Sequence, residues 1–175
     1  VDRCYSLGAV RIGPEFSPSA PMPQELLEQL AEARAMCDQA VKDQPGTAAL
    51  HARRARVLAI AGDPAGALEA ARRGAELGSP TAQTLLGVML GRTDRAKAEE
   101  LFRAAAKRGD PHAHFNLGVM EKDPAEAAIH FRRAAESRPF GDPLAMQMLK
   151  DESWLKRAGE TFIFGPGQNP RRIPV

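Results

Sequence analysis

Apolar residues recur along this chain at helical spacing in short blocks, each opened by a capping residue and most of them closed by glycine. From Pro23 to about Gln44, the residues Leu26, Leu27, Leu30, Ala33, Cys37, Ala40 and Val41 fall on one stripe, as an amphipathic helix requires. Pro45-Gly46 ends that block, Thr47 is a fair N-cap for Ala48 to Ala61, and Gly62 closes the second block. Five later starts follow one rule: Asp63-Pro64, Ser79-Pro80, Asp110-Pro111, Asp123-Pro124 and Asp142-Pro143. Each sets a capping oxygen before a proline at the first helical position, where the missing N–H is not needed. Asp94 holds the equivalent place one period after Asp63, followed by Arg95 instead of proline. The predicted helices cover about 24–44, 48–61, 64–77, 80–90, 95–108, 111–121, 124–137 and 143–157, eight helices in four antiparallel pairs.

One segment is written twice. Ser79-Pro80-Thr81-Ala82-Gln83-Thr84-Leu85-Leu86-Gly87-Val88-Met89 returns 31 residues later as Asp110-Pro111-His112-Ala113-His114-Phe115-Asn116-Leu117-Gly118-Val119-Met120. An alanine-rich amphipathic segment, Ala96 to Arg108, lies between the copies, so one period holds two helices, the sign of a helix-turn-helix array. Such a unit cannot bury its apolar face alone and does so by stacking. Phe102, Ala105 and Ala106 recur as Phe131, Ala134 and Ala135; the small residues let helices approach and the phenylalanine fills the gap. The expected fold is all-α, an α-solenoid of about four antiparallel helix pairs.

The ends of the chain break the pattern. Residues 1–21 carry Gly8, Gly13, Pro14, Pro18 and Pro21 without helical periodicity, which predicts an extended N-terminal arm. The repeat domain is expected over 22–158. From Gly159 to Val175 an apolar patch with Phe162 and Phe164 gives way to glycine, proline and two arginines, an extended C-terminal tail. That tail either packs Phe162 and Phe164 on the last repeat or docks as a peptide arm on a second protein.

Composition narrows function mainly by exclusion. Lys and Arg number 24 against 22 Asp and Glu, a net charge of +2, so no strong field favours nucleic acid as a partner. No apolar run approaches the ~20 residues that span a bilayer, and no leader pattern is present, so no direct membrane insertion is expected. The histidines His51, His112, His114 and His130 have no HExxH spacing, and His112 and His114 point to different sides of one helix. No GxSxG, phosphate-loop or dinucleotide motif occurs. Neither an enzyme nor a metal or other cofactor is expected. The two cysteines, Cys4 and Cys37, are either free thiols or one disulfide, the latter if the arm returns over the first helix.

The pattern Ala-x-x-x-Leu-Gly at Ala82 to Gly87 and Ala113 to Gly118, followed by Ala-x-x-x-Phe-x-x-Ala-Ala at Ala98 to Ala106 and Ala127 to Ala135, resembles the Sel1-like subclass of tetratricopeptide repeats. The resemblance covers about 62–150. The turns Gly91-Arg92-Thr93 and Glu121-Lys122 are shorter than is usual there, and Lys150 stands where the glycine would be. It implies a non-catalytic scaffold that binds a protein or peptide along a concave groove. In that register Arg53, Thr84, Phe115 and Gln147 share one groove position, His112 lies three residues before Phe115, and Asn116 stands where such proteins bond a peptide backbone; Phe115 and Asn116 packing between repeats is the alternative. Cys4 followed by Cys37-Asp38 is similar to exported bacterial Sel1-like proteins, in which the pair is oxidised. With a chain starting at Val1, this implies a periplasmic or secreted protein, or a cytoplasmic one if both cysteines are free. The alternatives are a structural subunit of a larger assembly and a cell-wall or β-lactam-related accessory protein.

Overall fold

The computed structural model describes Cys4 and residues 24–136, 161–163 and 171–173. Seven helices lie among the described residues: α1 (Gln24–Asp43), α2 (Ala48–Ile60), α3 (Pro64–Glu76), α4 (Pro80–Leu90), α5 (Arg95–Lys107), α6 (Pro111–Met120) and α7 (Pro124–Glu136). Their bounds fall within a residue of those that periodicity and capping predict, and they form an α-solenoid of helix pairs. The expected eighth helix, with Gln147, and the expected arm apart from Cys4 lie outside the described residues, as does Phe164.

Three joints between helices share one construction. Gly62, Gly78 and Gly109 take φ of 80°, 86° and 83°, the left-handed turn that ends a helix most cheaply at glycine. The next N–H then reaches back five residues to close the helix: Asp63 to the Leu58 carbonyl at 2.9 Å, Ser79 to Gly74 at 2.9 Å, Asp110 to Ala105 at 3.2 Å. The side chain of that same residue opens the following helix. Asp63 Oδ1 accepts from the Gly66 N–H at 2.9 Å, Ser79 Oγ from Ala82 at 3.2 Å, and Asp110 Oδ1 from His112 at 2.9 Å. One residue thus satisfies orphan groups of two helices, and a three-residue link suffices to reverse the chain.

Asp94 and Asp123 cap α5 and α7 in the same way, accepting from Lys97 and Ala125 at 2.9 and 2.8 Å. Thr47 corrects the sequence reading. It holds the N-cap place of α2 with extended backbone but makes no side-chain cap bond; its hydroxyl turns to Gln44 Oε1 at 3.3 Å.

The described residues fall into two compact units, one reaching Leu86 within α4 and the other continuing from Gly87. In the first, Cys4, Ala33, Cys37, Ala40, Leu50 and Val57 form a core, with Val41 against it. Cys4 and Cys37 are joined as a disulfide across 33 residues of sequence and are 1% and 0% exposed. Leu27, placed on the inward stripe by periodicity, is 45% exposed instead. It lies in the first turn of α1, before the core begins at Leu30.

The second unit has two cores on opposite sides of α6. Ala98, Phe102, Ala105 and Ala106 of α5 pack with Ala113, Leu117 and Met120. On the other side, Phe115 packs with Ala127, Phe131 and Ala134 of α7. Beyond the helices, β1 (Thr161–Ile163) pairs antiparallel with β2 (Arg171–Ile173), Phe162 opposite Arg172. The tail that sequence predicts only as extended therefore carries a strand pair, and β1 runs against α6.

Candidate functional site

Helix α6 holds three of the residues that the repeat register assigns to binding: His112, Phe115 and Asn116. Its start is fixed by the Asp110 cap on the His112 N–H and by Pro111, whose ring presets the helical φ. Its end is held from outside, for Arg95 Nη2 donates to the Met120 carbonyl at 3.0 Å. Arg95 stands where the other starts have proline, so the exception to the capping rule serves the neighbouring helix by satisfying an orphan carbonyl.

At ~100° per residue the sides of α6 have distinct neighbours. Ala113, Leu117 and Met120 face α5. His114, Phe115 and Gly118 face α7: Phe115 meets Phe131 with ring centroids 5.5 Å apart and planes at 56°, an edge-tilted packing favoured by aromatic quadrupoles. His112 and Asn116, one turn apart, make a third strip. Asn116 is 1% exposed, and its Nδ2 donates to the His112 carbonyl at 2.7 Å, which ties the amide to the helix backbone. Phe115 is likewise buried. His112 is half-buried.

The remaining register positions lie elsewhere. In the first unit, Thr84 of α4 is fully buried and Arg53 of α2 is half-buried. Arg56 lies one turn from Arg53; burial first, and the Arg53 charge second, hold its guanidinium below the ordinary arginine range, and its Nε is buried without a hydrogen-bond partner. Phe162 lies in β1.

A second relationship on α6 was not legible in the sequence. His114 Nδ1 and His130 Nδ1 of α7 stand 3.3 Å apart, with ring centroids 5.6 Å apart. That separation is close to the sum of the Nδ1–Nδ1 distance and two ring radii, so the nitrogens meet head to head: one ring donates N–H and the other accepts. Burial depresses both pKa values below the ordinary histidine range, helped by Arg133 and, for His114, by His130. No group of three or more His, Cys, Asp or Glu side chains fit to hold a metal ion occurs among the described residues. No described helix is long and apolar enough to cross a membrane.

The sequence model of the tetratricopeptide repeat family matches residues 27–81 and 90–142, more than half of the chain. A search among characterised proteins found none that matches this sequence.

Proposed function

Because the chain belongs to the tetratricopeptide repeat family, whose repeats generally mediate protein–protein interaction and scaffolding, we propose that it is a non-catalytic module that binds a partner polypeptide through the His112/Asn116 strip of α6 and its register equivalents Arg53 and Thr84. One observation carries this reading: α6 already has an extended segment, β1, running against it. A helix face that accepts one extended chain is suited to another. Gln147 and Phe164 complete the proposed contact set, and Phe162 joins it once β1 is displaced from α6.

The Sel1-like subtype rests on the Leu-Gly and Phe-x-x-Ala-Ala spacing. An oxidising compartment, periplasmic or extracellular, is supported by the buried Cys4–Cys37 disulfide, since such bonds seldom persist in a reducing cytosol. Membership of a larger assembly is the second reading, favoured by a tail that carries its own strand pair.

Affinity capture with the full-length protein tests the first reading. Arg53→Ala, His112→Ala and Asn116→Ala variants are expected to lose partners that the wild type retains. An identical partner set from every variant would refute the binding face.

A further inference from the structure

We propose that the C-terminal strand pair is a built-in occupant of the α6 face, so that the polypeptide this protein binds is an extended, apolar and β-prone segment that must displace residues 161–163. This deepens the reading above and rests on it.

Three observations lead there. First, α6 is enclosed on two sides by α5 and α7, each with its own core, and β1 runs against the same helix. Second, Asn116, on the strip that belongs to neither core, is nonetheless 1% exposed. Third, β1 is Thr161-Phe162-Ile163, built from β-branched and aromatic residues that favour extended backbone, and β2 satisfies one of its edges in register. A polypeptide of the same character is the ligand chemistry that the seat accepts. A tethered segment competes at an effective concentration that a free ligand must exceed, so a ligand of equal intrinsic affinity binds the intact protein much more weakly than a variant whose strand pair is broken.

The experiment uses the full chain and a fluorescein-labelled synthetic peptide of residues 159–175. Ile163→Pro and Arg172→Pro each disable one strand, because proline removes a backbone donor and is poorly tolerated in paired strands. Circular dichroism checks that the helices remain in both variants. Anisotropy titration is expected to give at least tenfold tighter binding of the peptide to the variants than to wild type, and adding Asn116→Ala to Ile163→Pro is expected to abolish that gain. Equal affinity for wild type and variants, or no binding to either variant, would overturn the self-occupied seat. Peptide binding that Asn116→Ala leaves unchanged would place the seat away from α6 and overturn it too. Peptide binding as expected, with no partner captured by any form of the protein, would instead count against the partner-binding reading.

Discussion

A methyl group added to Gly118 would stand 2.8 Å from Cε1 of Phe131, and one added to Gly87 would stand 2.7 Å from Cε1 of Phe102. The glycine of Leu-Gly in one helix and the phenylalanine of the next are thus one device, used twice: the missing side chain is the seat of the ring. Both rings are fully buried, so neither can swing out to make room. At the matching place one period earlier the volumes are exchanged, with Arg56 where the glycine would be and Ala71 where the phenylalanine would be.

Gly118→Ala is therefore expected to destabilise the fold, although alanine is the better helix former by about 1 kcal/mol. Overpacking typically costs about 1–3 kcal/mol, so the two effects oppose and the clash prevails. Chemical denaturation of the single variant, and of Gly118→Ala combined with Phe131→Leu, checks this. The double variant should recover part of the loss, since leucine withdraws the ring atoms that the new methyl meets.

The Cys4–Cys37 disulfide closes a loop of 33 residues. In the chain-entropy view such a closure contributes about 3–4 kcal/mol by restricting the unfolded chain. Denaturation with and without reductant should show a lower midpoint on reduction, and Cys4→Ser should reproduce the shift. Because both cysteines are buried in the first core, either serine variant is expected to cost somewhat more than reduction alone, by leaving a hydroxyl among alanine, leucine and valine.

Asp63 serves three partners. Its Oδ1 caps α3, its N–H closes α2, and Arg34 Nη2 reaches its Oδ2 at 3.2 Å. Asp63→Ala removes the cap and is expected to cost about 1 kcal/mol. Asp63→Asn keeps the cap and loses the partly exposed ion pair, so it should stay within about 1 kcal/mol of wild type. Equal losses for the two would mean that the charge, not the cap, matters at this joint.

The His114–His130 contact makes stability depend on pH in a definite direction. Burial lowers both pKa values in the folded state, with Arg133 and Arg103 adding to the effect and Asp110, Glu121 and Glu126 opposing it. The unfolded chain then binds more protons in mildly acidic solution, so the pair's contribution is present above an unfolded pKa near 6.5 and is lost as pH falls through the folded values. One proton can still be shared between the rings; two cannot. Melting temperature should fall between roughly pH 7 and pH 5, and His130→Asn should flatten that dependence.

The parts of the fold that sequence made legible are local ones. A glycine, an acid or serine, and a proline in a row fix a helix end and a helix start within three residues, so the joints at 62–64, 78–80 and 109–111 could be placed closely. Thr47 shows the limit: it has the right residue type at the right place, yet its hydroxyl finds Gln44 instead. Leu27 belongs to the same class, an apolar residue in register with the core but a turn too early to reach it. The candidate site was harder. Register alone points to Phe115 and Asn116, and it gives a place on a helix but not what covers it. The His114–His130 contact joins residues 16 apart on two helices, and the Arg95 bond to Met120 spans 25; both depend on how helices rotate about their axes. Nothing in the run from Thr161 to Ile173 announced that its ends pair.

Photo-crosslinking from α6 tests the polypeptide-binding face most directly. A photoreactive phenylalanine analogue is placed at His112 in the full-length protein, with a control at exposed Glu100 on α5, and each is irradiated in the extract of its host. Crosslinks from position 112, and not from position 100, to a discrete partner polypeptide or to the protein's own residues 161–163 are the expected result. Equal, diffuse labelling from both positions would contradict a binding face on α6.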